Sequence, residues 1–221
     1  MNTTTILLIR HGETAWNAVR RLQGHIDIPL NAEGERQAGA LAQALAAESV
    51  DVIVSSDLQR ARQTAQAVAA QAMAPQYGAA PVQIDANLRE RCYGVFEGML
   101  YTEVEQQYPA DFALWQARDI DAVMPPGERV AESFRQFYAR ATSAIREWAE
   151  RHPGKTIAIV AHGGVLECAY REAVGMQLDS PRDFQVKNAS INRFTFSDGK
   201  LALISWGEVE HLSLAAMDDV I

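Results

Sequence analysis

The stretch Thr4-Thr5-Ile6-Leu7-Leu8-Ile9-Arg10-His11-Gly12-Glu13-Thr14 runs from β-branched and apolar residues straight into a charged turn containing glycine. Thr4–Ile9 shows no polar alternation, so it reads as a strand buried on both faces, as in a parallel sheet covered by helices on either side. Val50–Val54 and Thr156–Ala161 repeat the pattern, and each of the three is followed by a helical pattern. Behind the N-cap candidate Asn31, with Glu33 and Glu35 in the first turn, Ala38, Leu41, Ala42 and Leu45 recur at helical spacing. Ser56 and Gln59 form a candidate capping box ahead of the stripe Leu58, Ala61, Ala65 and Val68. A third stripe, Val130, Phe134, Phe137, Tyr138, Ala141, Ile145 and Trp148, ends at the breaker His152-Pro153-Gly154. Val82–Ile84 is a short fourth strand. Strands alternating with helices predict a three-layer α/β/α fold with a mainly parallel central sheet.

Outside these units, Asp198-Gly199 between Arg193–Ser197 and Leu201–Trp206 predicts a terminal hairpin, and Ala69–Pro81 a surface connection. Glu90 to Glu128 carries Tyr93, Phe96, Tyr101, Tyr108, Phe112 and Trp115 without a clean sheet unit, which predicts a cap segment inserted over one end of the sheet. The expectation is one domain spanning residues 1–221, with the insertion at about 91–128.

Composition narrows the functional classes. The 221 residues are 48% hydrophobic, ordinary for a globular chain, and the net charge of -8 argues against a nucleic-acid partner. No apolar run approaches the ~20 residues of a membrane span, and Ile6–Ile9 is too short for a signal segment, so neither a membrane partner nor export is expected. Two cysteines, Cys92 and Cys168, form no CxxC pair, which fits a cytoplasmic setting. The five histidines include no HxH or HExxH, so no metal site is expected, and Cys92 reads as a packing residue.

Ligands in open α/β sheets sit beyond the carboxyl ends of the strands. There the chain places Arg10-His11-Gly12, Ser55-Ser56-Asp57-Leu58-Gln59-Arg60, Leu88-Arg89-Glu90-Arg91 and His162-Gly163-Gly164. Two histidines, arginines and a carboxylate therefore meet at one sheet edge. Arg89 and Arg91 read as solvated surface charges, and His25, His152 and His211 as surface or supporting groups, His25 with the option of facing the pocket.

These residues resemble the histidine phosphatase superfamily, which includes the cofactor-dependent phosphoglycerate mutases. The resemblance runs through Arg10-His11-Gly12-Glu13-Thr14-x-x-Asn17, Gln23-Gly24-x-x-Asp27-x-Pro29-Leu30, Ser56-Asp57-Leu58-x-Arg60-Ala61-x-x-Thr64, Leu88-x-Glu90, Gly94-x-x-Glu97-Gly98 and His162-Gly163-Gly164. It implies a phosphoglycerate mutase-like fold and a phosphohistidine mechanism on a small phosphorylated substrate. His11 would be the nucleophile, its second nitrogen held by a backbone carbonyl near Gly12, and Arg10, Arg60 and His162 would hold the phosphoryl group. Asn17, Gln23, Gly24, Gly163 and Arg118 would take part in substrate or phosphate binding. One carboxyl group must serve as acid and then base. Glu90 holds the family position; Glu13 is the competing carboxylate, with a local hydrogen-bonding role as its other reading.

Within the family, Trp115–Glu128 lacks the paired arginines that hold glycerate in mutases, since only Arg118 is basic among acids. Tyr93–Gly98 and Pro126-Gly127-Glu128 are closer to small broad-specificity and α-ribazole phosphatase-like members. The expectation is a phosphomonoester hydrolase needing no cofactor. The alternatives are a phosphoglycerate mutase using 2,3-bisphosphoglycerate and, from another class, a non-catalytic phospholigand-binding module.

Overall fold

A computed structural model describes residues 3–71 and 81–212. Its strands are β1 (Thr4–Arg10), β2 (Val52–Ser55), β3 (Val82–Ile84), β4 (Thr156–Ala161), β5 (Ile191–Ser197) and β6 (Lys200–Glu208). Its helices are α1 (Ala15–Ala18), α2 (Ala32–Leu45), α3 (Gln59–Gln71), α4 (Tyr101–Gln107), α5 (Pro109–Gln116), α6 (Phe134–Arg151) and α7 (Gly163–Val174). One sheet runs in the order β3-β2-β4-β1-β5-β6. The first four of these strands are parallel to one another, and β5 and β6 are antiparallel additions.

The unbroken apolar run of β1 is explained by its two faces. Ile6 and Leu8, with Ile157 and Ile159 of β4, pack under Phe137, Ile145 and Trp148 of α6 and Val165 and Leu166 of α7. Leu7 and Ile9, with Ala158 and Val160, pack under Leu41 and Leu45 of α2 and Ala61, Ala65 and Val68 of α3. Alternate side chains enter opposite cores, which makes the three layers. Each fully buried Leu or Ile contributes roughly 1.5–3 kcal/mol, so any polar replacement in β1 is costly.

Several boundaries differ from the pattern reading. Val50 and Asp51 lie outside β2, because the Asp51 carboxylate accepts from Lys155 Nζ and Thr156 N, both at 2.9 Å. The Ser56–Gln59 capping box does not form. Asp27, remote in sequence, accepts from Gln59 N at 2.6 Å, while Ser56 Oγ serves His162. Val130 is 80% exposed and precedes α6, which is capped instead by Ser133 and Gln136. The connection expected from Ala69 begins later, since α3 continues to Gln71 with Ala69 buried; residues 72–80 lie outside the described residues. The hairpin stands as predicted, with Asp198 and Gly199 both at positive φ, matching strand twist.

The segment after Glu90 folds on a small core of its own. Leu22, Phe96, Val104, Met124 and Ala131 are its buried members, and Trp115 stacks on Tyr101 at 5.3 Å. It is joined to the loop after α1, where Leu22 N donates to the Met99 carbonyl and Gly98 N to the Leu22 carbonyl, at 2.9 and 2.8 Å. The aromatic residues thus pack mainly with each other rather than onto the sheet cores.

Candidate active site

The ends of β1, β2 and β4 open on a cavity of about 830 Å³, within the size range of small-molecule sites. Arg10 is the last ladder residue of β1, paired with Ala161 of β4, and its guanidinium donates to the Val186 carbonyl. His11 follows immediately. Its backbone N donates to Ala161 O at 3.0 Å, and its carbonyl accepts from Asn188 Nδ2 at 3.0 Å and Ala189 N at 3.2 Å. The turn beyond it lies against the start of α2 so closely that a Cβ on Gly12 would sit 2.5 Å from the Gly34 carbonyl oxygen. A Cβ on Gly34 would sit 2.0 Å from that of Glu13. Glycine is required on both sides of this contact.

His11 Nδ1 donates to the Gly12 carbonyl at 2.7 Å, which leaves the lone pair on Nε2. Burial, aided by the guanidinium charges of Arg60 and Arg10, holds the His11 pKa well below the ordinary imidazole value, so the ring is neutral at neutral pH. His162 stands behind it at a ring separation of 5.1 Å, wholly buried and not on the cavity wall. Its Nε2 is hydrogen-bonded with Ser56 Oγ at 2.8 Å, and that oxygen also accepts from Leu58 N at 3.4 Å. Burial first, then Arg60 and His11, also keep His162 neutral.

Arg60 is 1% exposed, and burial draws its pKa down to about 10 against the attraction of Glu90, Asp27 and Glu97. It donates to the carbonyls of Gly24 at 2.8 Å and Ile26 at 2.9 Å, fixing the loop that carries Gln23 and Gly24. Asn17 closes the capping box of α1 through its Oδ1, 3.0 Å from Thr14 N, and lines the cavity. Arg60 Nε, Gln23 Oε1 and Arg118 Nε are buried without a hydrogen-bond partner among the described residues, and all three residues line the cavity. Buried orphan polar atoms are uncommon, and their concentration here suits a site that takes polar ligands.

Glu90 enters from the loop after β3. Its carboxylate accepts from Arg91 N at 2.8 Å and Gly164 N at 3.0 Å, and its carbonyl accepts from His25 Nε2 at 2.8 Å and Arg140 at 3.1 Å. Glu13 points elsewhere: its Oε1 accepts from Asn31 Nδ2 at 2.7 Å, at the start of α2. His25 therefore supports Glu90 from behind. Arg91 is not a solvated charge but 5% exposed, donating to the carbonyls of Glu132 and Ala122; Arg89 is partly exposed and paired with Asp57 at 2.6 Å. Cys92 is buried, as a packing residue should be.

Arg10, His11, Asn17, Gln23, Gly24, Arg60, Glu90, Gly163 and Arg118 thus share one cavity, with His162 behind it. The wall also holds Tyr93, Arg20, Glu167 and Arg182, which the pattern reading did not select. Glu167 lies one helical turn after Gly163 and could have been found by that spacing; Arg182, in an irregular loop, carried no signal. Among the described residues no group of three His, Cys, Asp or Glu side chains could hold a metal, and no helix is long and apolar enough to cross a membrane.

The family model of the histidine phosphatase superfamily (branch 1) matches residues 6–209. An Arabidopsis thaliana protein named metal-independent phosphoserine phosphatase is 36% identical over 211 residues, covering 95% of this chain and 84% of that protein. A Yersinia enterocolitica protein named probable phosphoglycerate mutase GpmB is 31% identical over 224 residues, covering 97% and 98%. The structure of phosphoserine phosphatase from Entamoeba histolytica in complex with 3-phosphoglyceric acid superposes with a TM-score of 0.81 at 27% identity, covering 95% of this chain and 100% of that one. On the match from β1 to the end of the sheet, the chain belongs to the histidine phosphatase superfamily, branch 1.

Proposed function

We propose that the protein hydrolyses phosphomonoesters of small metabolites through a phosphohistidine on His11. The observation that carries this reading is the neutral His11 ring, anchored through Nδ1 at the Gly12 carbonyl, sharing its cavity with the Glu90 carboxyl group. Nε2 attacks phosphorus as the ester P–O bond breaks, and protonated Glu90 gives its proton to the departing oxygen. The resulting carboxylate then takes a proton from water, whose oxygen attacks phosphorus and breaks the P–N bond, restoring His11. Arg10, Arg60 and His162, with Asn17, Gln23, Gly24 and Gly163 around them, stabilise the charge on the transferring group; fixed donors of this kind supply most of the catalysis in phosphoryl transfer. Arg118 binds the rest of the substrate.

The same reading makes residues 1–221 one domain, with about 91–128 as the cap that closes the cavity, and makes catalysis independent of metal, as the name of the Arabidopsis relative supports. Two free buried cysteines support a reducing, cytoplasmic setting. Joint presence of a nucleophile and a proton-transfer group speaks against a mere binding module.

Alkaline quenching of turnover followed by peptide mapping tests the proposal. The label is expected on His11 and absent from His11→Ala; a phosphorylated intermediate on another residue overturns it. Running the assay on 3-phosphoglycerate with and without 2,3-bisphosphoglycerate separates transfer to water from the mutase alternative.

A further inference from the structure

The stretch from Asn87 to Cys92, which carries Glu90, runs outside the sheet, so its backbone carbonyls must find their partners elsewhere. Three of them turn to one side chain on α6. Arg140 Nη1 donates to the Asn87 carbonyl at 2.8 Å and the Arg89 carbonyl at 3.0 Å, and its Nη2 donates to the Glu90 carbonyl at 3.1 Å. The two remaining N–H groups go to the Glu132 carboxylate, from Nε and Nη2, at 2.7 Å each. All five donors of the guanidinium are thereby used. His25 also donates to the Glu90 carbonyl, at 2.8 Å, and so backs one of the three.

Glu132 carries the grip to the far side of Glu90. Its Oε2 accepts from Cys92 N at 3.0 Å, its carbonyl accepts from Arg91 Nε at 2.9 Å, and its own N–H donates to the Cys92 carbonyl at 3.0 Å. Burial pushes the Glu132 carboxyl up, but the bonds from Arg140 and Cys92 N outweigh it and hold the pKa below the ordinary value, so the pair is ionised at neutral pH. A partly exposed ion pair adds little stability by itself. This one differs in what it holds, since residues 87 to 92 are gripped on both sides of Glu90. Its base is firm as well: the guanidinium lies over the ring of Phe137, one turn back on α6, at 5.2 Å, and that ring is 1% exposed.

We propose that Arg140 is a positioning residue: by gripping the carbonyls of Asn87, Arg89 and Glu90 it fixes the Glu90 backbone and thereby sets where the carboxyl group stands for proton transfer. The proposal rests on the phosphomonoesterase reading, in which Glu90 moves the proton. A guanidinium suits the task because its planar fork directs several donors at fixed angles, which a lysine ammonium does not. Arg140 is not on the cavity wall and acts through Glu90 alone. Misplacing a reacting group by about 1 Å costs roughly 10²-fold in rate, so a clamp that never meets the substrate can govern kcat.

The test is Arg140→Met, which keeps the stem and removes every donor. On alkyl phosphates kcat is expected to fall ~10–100-fold, while vanadate affinity stays near that of the wild type because Arg10 and Arg60 are untouched. A double-mutant cycle separates positioning from general loosening: in Glu90→Gln background the same substitution should cost at most ~2-fold more, since the group it places no longer transfers protons. Arg140→Lys keeps the charge without the fork and should recover only part of the rate; it takes the place of Arg140→Met in the cycle if that variant does not fold. Independently of turnover, hydrogen exchange at the Gly164 amide, which donates to Glu90 Oε2 at 3.0 Å, should speed up in Arg140→Met. Wild-type kcat in folded Arg140→Met, an undiminished loss in Glu90→Gln background, full recovery in Arg140→Lys or unchanged Gly164 exchange overturns the positioning role. No hydrolysis of any ester by the wild-type protein overturns the phosphatase reading instead, and faster Gly164 exchange would then still assign to Arg140 the placement of the Glu90 carboxyl group.

Discussion

Replacement of Gly164 by alanine probes Glu90, the proposed proton-transfer group, without substituting it. Gly164 N donates to Glu90 Oε2 at 3.0 Å, and an added Cβ would stand 2.2 Å from Glu90 Oε1 and 2.8 Å from Phe137 Cε1. The carboxyl group ends a flexible side chain, so it yields first, retreating roughly 1 Å to reach ordinary van der Waals separation. The buried Phe137 ring must then give by roughly half an ångström. Overpacking costs ~1–3 kcal/mol and alanine in place of glycine within a helix returns ~1 kcal/mol, so a net loss of up to ~2 kcal/mol is expected, which leaves the protein folded. Misplacing a reacting group by about 1 Å costs roughly 10²-fold, and that loss is expected in kcat for alkyl phosphates. With p-nitrophenyl phosphate, whose leaving group needs little protonation, the first chemical step should lose much less, so burst amplitude persists while steady turnover falls. Vanadate affinity should survive, because Arg10 and Arg60 are unmoved. Stopped-flow bursts and steady-state rates on both ester types, with urea unfolding as control, make the measurement. Wild-type kcat on alkyl phosphates in folded Gly164→Ala would refute the assignment of Glu90 to proton transfer.

Three further outcomes are expected. His11 and His162 have folded pKa values below the unfolded value near 6.5, so the folded state binds fewer protons between the two limits. Stability is therefore complete above about pH 6.5 and declines as pH falls through that window, by ~1.4 kcal/mol per pH unit for each histidine; urea midpoints from pH 7.5 to 5 would show it, and a flat profile would contradict it. Asp27→Ala should lower stability by ~1 kcal/mol, because its carboxylate caps α3 from a distance, and an unchanged urea midpoint would remove that role. Exhaustive chelation should leave turnover intact while vanadate inhibits it; loss of activity restored by a divalent ion would overturn the metal-free pocket.

What the chain declares locally is the layered fold and the placement of charged motifs at strand ends. Unbroken apolar runs such as Ile6–Ile9, the Asn31 cap and the Asp198-Gly199 turn depend on neighbours within a few residues, so their meaning survives in one dimension. Strand ends in a parallel sheet share one edge, and for that reason His11, Arg60 and Glu90 could be brought together on paper. Decisions made by partners far along the chain were not legible. Ser56 looked like a cap until β4 placed His162 beside it, Arg91 looked solvated until Glu132 and Ala122 covered it, and Asp27 gave no sign of capping α3. The charge around Arg118 is the sharpest instance. Acids are its neighbours in sequence, but electrostatics acts through space, and only the packing of the segment after α5 against α7 gives it Glu167, at 2.6 Å, as its partner.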